Sequence, residues 1–427
     1  MTNNILQKSL AVTYEDFLTG VFGKKSKPEW AALTKLFAEI VTGRSTLVSD
    51  LSKSLRENAS QAESKRVQEL VSGWLSRYDF VEATGGWLLK NIPQTGRDGL
   101  TFAIDFSDIS KVFGGKGMED MAMGRDGSTG DIRMGHDFVC VSLVGVRYPE
   151  ALPVYVKLGH GRKGHDELLK EAISAVMGQT GGEGWIVEDR GMDSAEHLWT
   201  LKRDNRKAVV RVKDMKRDVF GDGLAVDESL SGVQFFDAML RVHTGNRRVK
   251  IRCRPGVVQY CADPHAKNAV THDVRVLVVE SRFDGKSIYL YVSCPDWVLE
   301  SPAQMAIYAA RAAQAYCDRW QIETSFFVMK QEFALEKARV RKFHRLENIF
   351  TLCVLAYVYA TQFLRKTKGF GKILKFLSDN LETVSMKTHA LIAGIRALVG
   401  EARIRFISGR PRKRPWQDER QMMLKGF

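Results

Sequence analysis

The chain has 427 residues, of which 44% are hydrophobic and 27% are charged. This composition excludes disordered and fibrous proteins, and the length predicts roughly two or three domains with hydrophobic cores of their own. The 64 Lys and Arg outnumber the 50 Asp and Glu, which gives a formal net charge of +14. Such a basic excess favours a polyanionic partner, either nucleic acid or an anionic membrane surface.

The cysteines and the apolar segments bear on the cellular compartment. The six cysteines include no Cys-x-x-Cys pair, which predicts reduced thiols rather than a zinc ribbon or a disulfide framework. The N-terminal segment lacks the apolar core of a secretory signal. The uncharged stretch over 349–364 has only 16 residues, so it predicts a buried helix rather than a membrane span. We therefore expect a cytoplasmic protein without a membrane partner.

The first part of the chain reads as helical. Apolar residues recur at spacings of three and four in three segments, over residues 30–41, 46–55 and 61–75. Ser60 ends a polar turn and can cap the third helix, which outlines a helix-turn-helix. The second helix of that motif would present Lys65 among polar neighbours that can touch phosphates and base edges. We expect residues 1–97 to form a helical DNA-binding domain; the alternative is a small helical bundle with a solvated face.

Strands replace helices after residue 97. The apolar, β-rich runs are predicted strands over residues 101–106, 136–147, 152–158, 185–189 and 208–212, and helices are predicted over 166–177 and 194–202. Three successive strands, then helix, strand, helix and strand, are the connectivity of an RNase H-like domain. This is an α/β fold with a mixed sheet and helices on both faces. We expect the domain to span residues 98–350.

A β-rich insertion into that domain is predicted at about residues 213–296, where strands follow one another without a convincing helix. In its clearest strand, the alternation of side chains puts four basic residues on one face, namely Arg248, Lys250, Arg252 and Arg254. Four like charges on one strand face repel one another unless a polyanion or solvent relieves them. The strand is therefore either a phosphate-binding wall or a protected edge strand.

The end of the chain is predicted to be helical again. Helices resume at Pro302, and residues 351–427 are expected to form a helical C-terminal region. The tail over 403–427 carries eight Lys and Arg against two acidic residues. Such a tail is either a nucleic-acid arm or a solvated segment.

Two carboxylates lie where predicted strands end. Asp105 lies near the carboxyl end of the strand over 101–106, and Asp189 ends the strand over 185–189. Ligand-binding and catalytic groups collect at the carboxyl edge of open α/β sheets. One such Asp alone would be weak evidence, because turns and helix caps use the same residue type. Two of them indicate a candidate site.

The helix that begins near Pro302 contributes a further group. Four polar residues at spacings of three, four and seven fall within an arc of about 60°, namely Tyr316, Arg319, Glu323 and Lys330. A structural ion-pair ladder would explain Arg319 and Glu323 as an i,i+4 pair, but it leaves Tyr316 and Lys330 unexplained. One helix face is thus expected to present a phenol, a guanidinium, a carboxylate and an ammonium group.

These residues together resemble a known family. The Tyr-x2-Arg-x3-Glu-x6-Lys spacing of the helix, with Ile-Asp-Phe-Ser around Asp105 and Val-Glu-Asp-Arg-Gly around Asp189, is similar to the signature of the IS4-type DDE transposases, which include the Tn5-like enzymes. The resemblance covers about residues 100–350, with the β-rich insertion between the second Asp and the Glu. Met192 departs from the family pattern, in which an aromatic residue is common at this position.

The resemblance implies a site and a cofactor. The catalytic and metal-binding triad would be Asp105, Asp189 and Glu323. The residues that contact DNA near the reacting end would be Tyr316, Arg319 and Lys330. Two divalent ions about 3.5–4 Å apart would serve the attacking water, the scissile phosphate and the leaving 3′-oxygen. Three hard oxygen ligands suit Mg²⁺ or Mn²⁺.

The implied function is that of an insertion-sequence transposase, which cleaves transposon ends and joins their 3′-hydroxyl groups to target DNA. Its partners would be double-stranded DNA, both the terminal inverted repeats and the target, and a second copy of the chain in a homodimer on DNA. It would be cytoplasmic and associated with the bacterial nucleoid when it is bound to DNA. Two alternatives stay open: a DNA-binding regulator that makes no use of catalysis, and a metal-dependent nuclease without strand transfer. Asp108 and Asp193 are alternative ligands, since each lies a few residues past a proposed one.

Overall fold

The computed structural model describes residues 15–43, 46–48, 61–110, 117–125, 132–148, 150–159, 164–242, 245–263, 265 and 269–363. Several segments with sequence-based predictions fall outside these ranges. They are most of the helix over 46–55, the polar turn with Ser60, and residues 364–427 of the predicted C-terminal region, which include the basic tail over 403–427.

The helices lie mainly at the two ends of the described chain and between the strands of its middle. In chain order they are α1 (Lys27–Gly43), α2 (Gln61–Arg77), α3 (Val81–Lys90), α4 (His165–Thr180), α5 (Ala195–Arg203), α6 (Val226–Ser229), α7 (Asp296–Leu299), α8 (Pro302–Phe327) and α9 (Phe343–Val358). Short 3₁₀ turns cover Arg97–Gly99, Arg190–Met192 and Leu335–Lys337, and π-helical turns cover Val328–Glu332 and Tyr359–Phe363.

Local sequence explains where two of these helices begin. The Ser194 hydroxyl accepts a hydrogen bond from the backbone N–H of His197 at the start of α5 (3.1 Å). Ser301 accepts one from the backbone N–H of Gln304 at the start of α8 (3.4 Å), where Pro302 occupies the first turn. Both serines satisfy a backbone donor that has no partner within its own helix.

Within the described residues, ten strands form one mixed sheet. They are β1 (Thr101–Ser110), β2 (Ala122–Arg125), β3 (Ile132–Val144), β4 (Leu152–Leu158), β5 (Trp185–Glu188), β6 (Lys207–Arg211), β7 (Phe236–Val242), β8 (Gly245–Cys261), β9 (Thr271–Phe283) and β10 (Lys286–Ser293). Their order is β2-β3-β1-β5-β6-β10-β9-β8-β7, with β4 paired to β3. Strands β1, β5 and β6 are parallel, and the other pairs are antiparallel. The predicted α/β architecture with a mixed sheet is confirmed.

The strand bounds differ from prediction where long-range pairing decides them. Strand β4 has the predicted bounds. Strand β1 continues four residues past its predicted end, because it keeps pairing with β3 as far as Ser110 opposite Gly135. Strand β5 ends at Glu188, so Asp189 is the first residue beyond it. The carboxylate is thereby carried on the turn rather than on the strand itself.

The β-rich segment joins the main sheet instead of forming a separate one. Strand β10 pairs with β6, and β9, β8 and β7 follow in turn. The sequence predicted no convincing helix in this segment, and among its described residues between 213 and 295 the one helix, Val226–Ser229, has only four residues. The sheet that carries the candidate carboxylates is therefore continuous with these strands.

Helix α8 crosses the sheet and packs against β1, β3, β5, β7 and β8, and α5 packs against β8 and β9. The apolar stretch after Asn348 is buried from Ile349 to Thr361, as predicted from its sequence. None of the described helices is long and apolar enough to span a membrane.

The N-terminal helices share a core with α9 and the π turn after it. The ring of Tyr359 makes edge-to-face contacts with Phe17 (5.2 Å between centroids) and Phe37 (5.7 Å). Asn348 of α9 is fully buried and bonds three backbone groups before α3. Its Oδ1 accepts from Phe80 N (3.0 Å), and its Nδ2 donates to the carbonyl oxygens of Leu75 (2.9 Å) and Tyr78 (2.7 Å).

Replacement of Asn348 is expected to destabilise the protein. Asn348→Ala leaves buried backbone groups without partners, and each such group costs about 1–3 kcal/mol. Chemical denaturation should give a lower free energy of unfolding than for the wild type. The matched control is Arg345→Ala on the same helix, which removes a bond to the Ser76 hydroxyl at the surface and should change stability by about 0.5 kcal/mol or less. Equal effects of the two substitutions would contradict the assigned role of Asn348.

Candidate active site

The register of the parallel strands brings two carboxylates side by side. Ile104 of β1 lies opposite Glu188 of β5. Asp105 and Asp189 are the next residues of these two chain segments, so both lie where the pairing of β1 with β5 ends, although β1 itself continues to Ser110. The structure thus brings together the two acids that strand ends predicted.

Helix α8 adds the third carboxylate through a buried arginine. Arg319 donates from Nη1 to Asp105 Oδ2 (2.9 Å) and from Nη2 to Glu323 Oε1 (2.6 Å). Its side chain is only 6% exposed. Tyr316, one turn earlier, donates its hydroxyl to Asp189 Oδ1 (3.1 Å). Tyr316 therefore bonds Asp189, and Arg319 bonds both Asp105 and Glu323, so this helix face contacts or contains all three predicted ligands.

The three carboxylates influence one another electrostatically. Burial raises the pKa of Asp105 to about 6; the guanidinium of Arg319 opposes this shift, and the charges of Glu323 and Asp189 add to it. Burial and the charge of Asp189 likewise raise the pKa of Tyr316. Negative charge at this edge is thus only partly balanced by Arg319.

Arg211 is a site residue that sequence analysis missed. Glu188 lies opposite Val210 in the parallel pair of β5 and β6, so Arg211 reaches the edge beside Asp189. Its Nη1 donates to the Tyr316 hydroxyl (3.4 Å) and lies 3.8 Å from Asp189 Oδ1. The signal was available, because Arg211 lies near the carboxyl end of a predicted strand, as Asp105 does.

Lys330 lies apart from the arginine-centred cluster. Helix α8 ends at Phe327, and Lys330 lies in the π-helical turn that follows, so the predicted single α-helical face does not extend to it. A π-helix has more residues per turn, which shifts the angular position of later side chains. Lys330 Nζ donates to Asp108 Oδ1 (2.8 Å) and lies 3.6 Å from Glu336 Oε1.

The neighbouring acids have partners of their own. Asp108 accepts the bond from Lys330. The Asp193 carboxylate pairs with Arg217 (2.6 Å). Glu188 is fully buried, and its carboxylate accepts a hydrogen bond from His197 Nε2 on α5 (2.7 Å). These contacts separate all three acids from the cluster around Arg319.

The donor chemistry of the cluster fits a hard divalent cation. Carboxylate oxygens are the ligands that Mg²⁺ and Mn²⁺ prefer, and Asp105, Asp189 and Glu323 supply three carboxylates. In the described part of the chain, no three His, Cys, Asp or Glu side chains stand in a metal-holding arrangement. At this site Arg319 bridges Asp105 and Glu323.

The predicted basic strand face is only partly exposed. Arg248 is 72% exposed and pairs with Asp237 (2.7 Å), and Lys250 is also exposed. Arg254 is half-buried and lies over the ring of Phe220 at 4.5 Å. Lys65, on the predicted recognition helix, is exposed on α2.

Arg252 departs from that face. Its side chain is 8% exposed, and its Nε donates to the fully buried Glu280 on the neighbouring strand (2.5 Å). The prediction of four exposed like charges is therefore wrong at Arg252, because Glu280 lies directly opposite it in the β8–β9 register. Arg282 of β9, which lies opposite Lys250, is 44% exposed and was missed by a pattern read along one strand.

Comparison with known proteins gives a family and several similar solved structures. A family model described as a transposase DDE domain matches residues 144–359, which is slightly more than half of the chain. The match includes Asp189 and Glu323, and Asp105 precedes it. No curated protein matches the sequence. A cryo-EM structure of the piggyBac transposase synaptic complex with hairpin DNA is similar at 12% identity and a TM-score of 0.42, covering 94% of this chain and 76% of that chain.

Loss of Arg252 is expected to cost stability. Arg252→Met leaves the Glu280 carboxylate without one of its buried cationic partners, and breaking such a pair costs about 3 kcal/mol. The matched control, Arg248→Ala on the same strand, removes an exposed pair worth about 1 kcal/mol or less. Urea denaturation of the two variants should separate them clearly. Equal losses would mean that Arg252 is not a buried structural residue.

The raised pKa of Asp105 predicts a pH-dependent stability. Because the pKa rises from 3.8 to about 6 on folding, the native state binds more protons between these values. The free energy of unfolding of the metal-free protein should therefore fall as the pH rises from about 4 to about 6, by about 1.4 kcal/mol per pKa unit. Asp105→Asn should show a smaller fall, and Asp318, whose pKa burial also raises to about 6, should contribute its own fall in both proteins. Urea denaturation from pH 4 to 8 measures it, and parallel profiles for both proteins would contradict the assignment.

Proposed function

The chain belongs to the transposase DDE domain family, and we propose that it is an insertion-sequence transposase of the IS4 type. In this proposal the protein cleaves transposon ends and joins the freed 3′-hydroxyl groups to target DNA. The observation that carries the proposal is the convergence of Asp105, Asp189 and Glu323 around the buried Arg319. These are the acids that the family signature selected in the sequence.

The three carboxylates are the proposed ligands of two Mg²⁺ or Mn²⁺ ions. When bound, such ions supply an activated water and stabilise charge on the scissile phosphate and on the leaving oxygen. The carboxylates would bind the ions without a proton, so Asp105, whose pKa is about 6, would have to lose its proton first. Tyr316 holds Asp189 by its hydroxyl and so fixes the orientation of that ligand.

The cations around the triad are proposed to contact DNA phosphates. The two Nη atoms of Arg319 bond carboxylates, while its Nε is buried and has no hydrogen-bond partner among the described residues. A buried unpaired donor is costly, and a phosphate oxygen would satisfy it. Arg211 is more than a third exposed beside Asp189, and Lys330 lies on the other side at Asp108. Both are proposed as further phosphate contacts.

The strand order supports the RNase H-like part of the proposal. Strands β4, β3 and β1 are antiparallel neighbours, and β5 and β6 then lie parallel to β1. This arrangement supports the RNase H-like fold that we propose for residues 98–350. We retain residues 1–97 as a DNA-binding domain and residues 351–427 as a C-terminal region within this proposal.

Duplex DNA is the proposed partner, both as transposon ends and as target. The net charge of +14 supports a polyanion. Arg248, Lys250 and Lys65 are exposed and are proposed to contact phosphates, with Arg254 at the border of the same strand face. A homodimer on DNA is proposed from the family resemblance.

An in vitro cleavage assay tests the proposal. DNA that carries the ends of the element is incubated with the protein and Mg²⁺ or Mn²⁺, and the wild type is compared with Asp105→Asn. We expect metal-dependent nicking at the ends that the variant lacks. Specific binding without any cleavage by the wild type would support a DNA-binding regulator instead. Cleavage without joined products would support a nuclease.

The triad assignment gives a sharper prediction for Glu323. Glu323→Gln should lower the cleavage rate by more than about a hundredfold, since even residues that only support metal ligands cost about 10- to 100-fold when replaced. End binding, measured by mobility shift, should be preserved. The matched control is Glu196→Gln, which removes an exposed carboxylate paired with Lys170 on the surface. Undiminished cleavage by the Glu323 variant would overturn the triad.

A further inference from the structure

Asp193 is a buried carboxylate with a full set of partners. Its side chain is 0% exposed. Its Oδ2 accepts hydrogen bonds from the backbone N–H groups of Lys213 (2.7 Å) and Asp214 (3.2 Å). Its Oδ1 accepts one from Arg217 Nη1 (2.6 Å). Taking a carboxylate out of water is costly unless it is paired, and here the pairing comes entirely from one short segment that is distant in sequence.

The segments that Asp193 joins both lead into the candidate active site. Asp193 ends the 3₁₀ turn that begins directly after Asp189. Lys213 lies two residues after Arg211, whose guanidinium reaches Asp189 and the Tyr316 hydroxyl. The carboxylate therefore ties the turn after β5 to the turn after β6, each within four residues of a group at the carboxyl edge.

Arg217, the charged residue that bonds Asp193, also contacts the sheet on its other side. The Arg217 guanidinium lies 5.5 Å from the centre of the Tyr291 ring on β10, so it is held between Asp193 and the sheet. This contact anchors the chain after β6 to a strand that does not carry the triad. The strand pairing places Arg211 at the edge beside Asp189, and the bonds made two to six residues further along the chain restrain it there a second time.

We propose that Asp193 is a positioning residue that holds Arg211 against Asp189 and Tyr316 for DNA cleavage. The inference rests on the proposed function, because it assigns Asp193 a part in that reaction. Asp193 touches neither DNA nor the triad and acts through Arg211. Misplacement of a reacting group by about 1 Å can lower a reaction rate about a hundredfold. A small shift of Arg211 in the absence of Asp193 is therefore expected to slow cleavage.

A double-mutant cycle tests the proposal. Asp193→Ala, Arg211→Ala and the double variant are compared in single-turnover cleavage of end DNA with Mg²⁺, together with end binding. We expect Asp193→Ala to lower the cleavage rate about 10- to 100-fold while binding changes about twofold or less. If Asp193 acts through Arg211, the double variant should cleave no more slowly than Arg211→Ala alone. Rate losses that multiply would overturn the proposal.

A second comparison separates positioning from a general loss of stability. Asn348→Ala removes buried hydrogen bonds far from the site, and it should cleave at the wild-type rate at temperatures where it is folded. If Asp193→Ala does not fold, Asp193→Asn is used, since its amide oxygen keeps an acceptor for the two backbone N–H groups. This variant should recover part of the rate, and the same cycle with Arg211→Ala applies to it.

The possible outcomes distinguish the proposed role of Asp193 from the proposed function on which that role rests. A wild-type protein that cleaves no ends overturns the proposed function and the role of Asp193 with it. A wild type that cleaves, together with an Asp193→Ala variant at the wild-type rate, overturns the role of Asp193 alone. A rate loss in Asn348→Ala equal to that in Asp193→Ala would do the same.

Discussion

The in-register parallel pairing of β1, β5 and β6 is the constraint on which the candidate site depends. The register places Asp105 of β1, Asp189 after β5 and Arg211 of β6 side by side. A slip of one residue between two strands would turn alternate side chains to the opposite face. Helix α8 runs across these strands, so a side chain on each successive turn meets the edge at a different carboxylate.

The buried guanidinium of Arg319 holds this edge together. Three carboxylates within mutual electrostatic reach repel one another, and the raised pKa of Asp105 measures that repulsion together with burial. Arg319 offsets part of it by bonding two of the acids at once. The same contacts occupy oxygens that metal ligation would use. Under the proposed function, Arg319 would therefore compete with a metal ion for these oxygens.

Sequence patterns were sufficient where local rules decide the structure. Strand ends identified Asp105 and Asp189, and helical spacing identified Tyr316, Arg319 and Glu323, because each depends on the geometry of one element. The mixed sheet followed from the order of elements. The metal-binding and DNA-binding roles of these residues stay predictions.

The patterns failed where a partner distant in sequence decides. Arg252 is buried because Glu280, 28 residues later, lies opposite it. Lys330 leaves the helix face because α8 gives way to a π turn. The role of Asp193 depends on backbone groups 20 and 21 residues away. The local sequence does not predict these contacts, because they result from strand register and from packing.

The contacts of Asn348 also bear on the order in which the chain can fold during synthesis. This side chain closes the N-terminal helices through bonds that span 268 to 273 residues. The N-terminal helices therefore leave the ribosome long before α9, which completes their core, has been made. Contacts of such high sequence separation form late. A nascent chain would thus carry its N-terminal helices without their complete core until most of the protein exists, so that this core and the completed sheet form together.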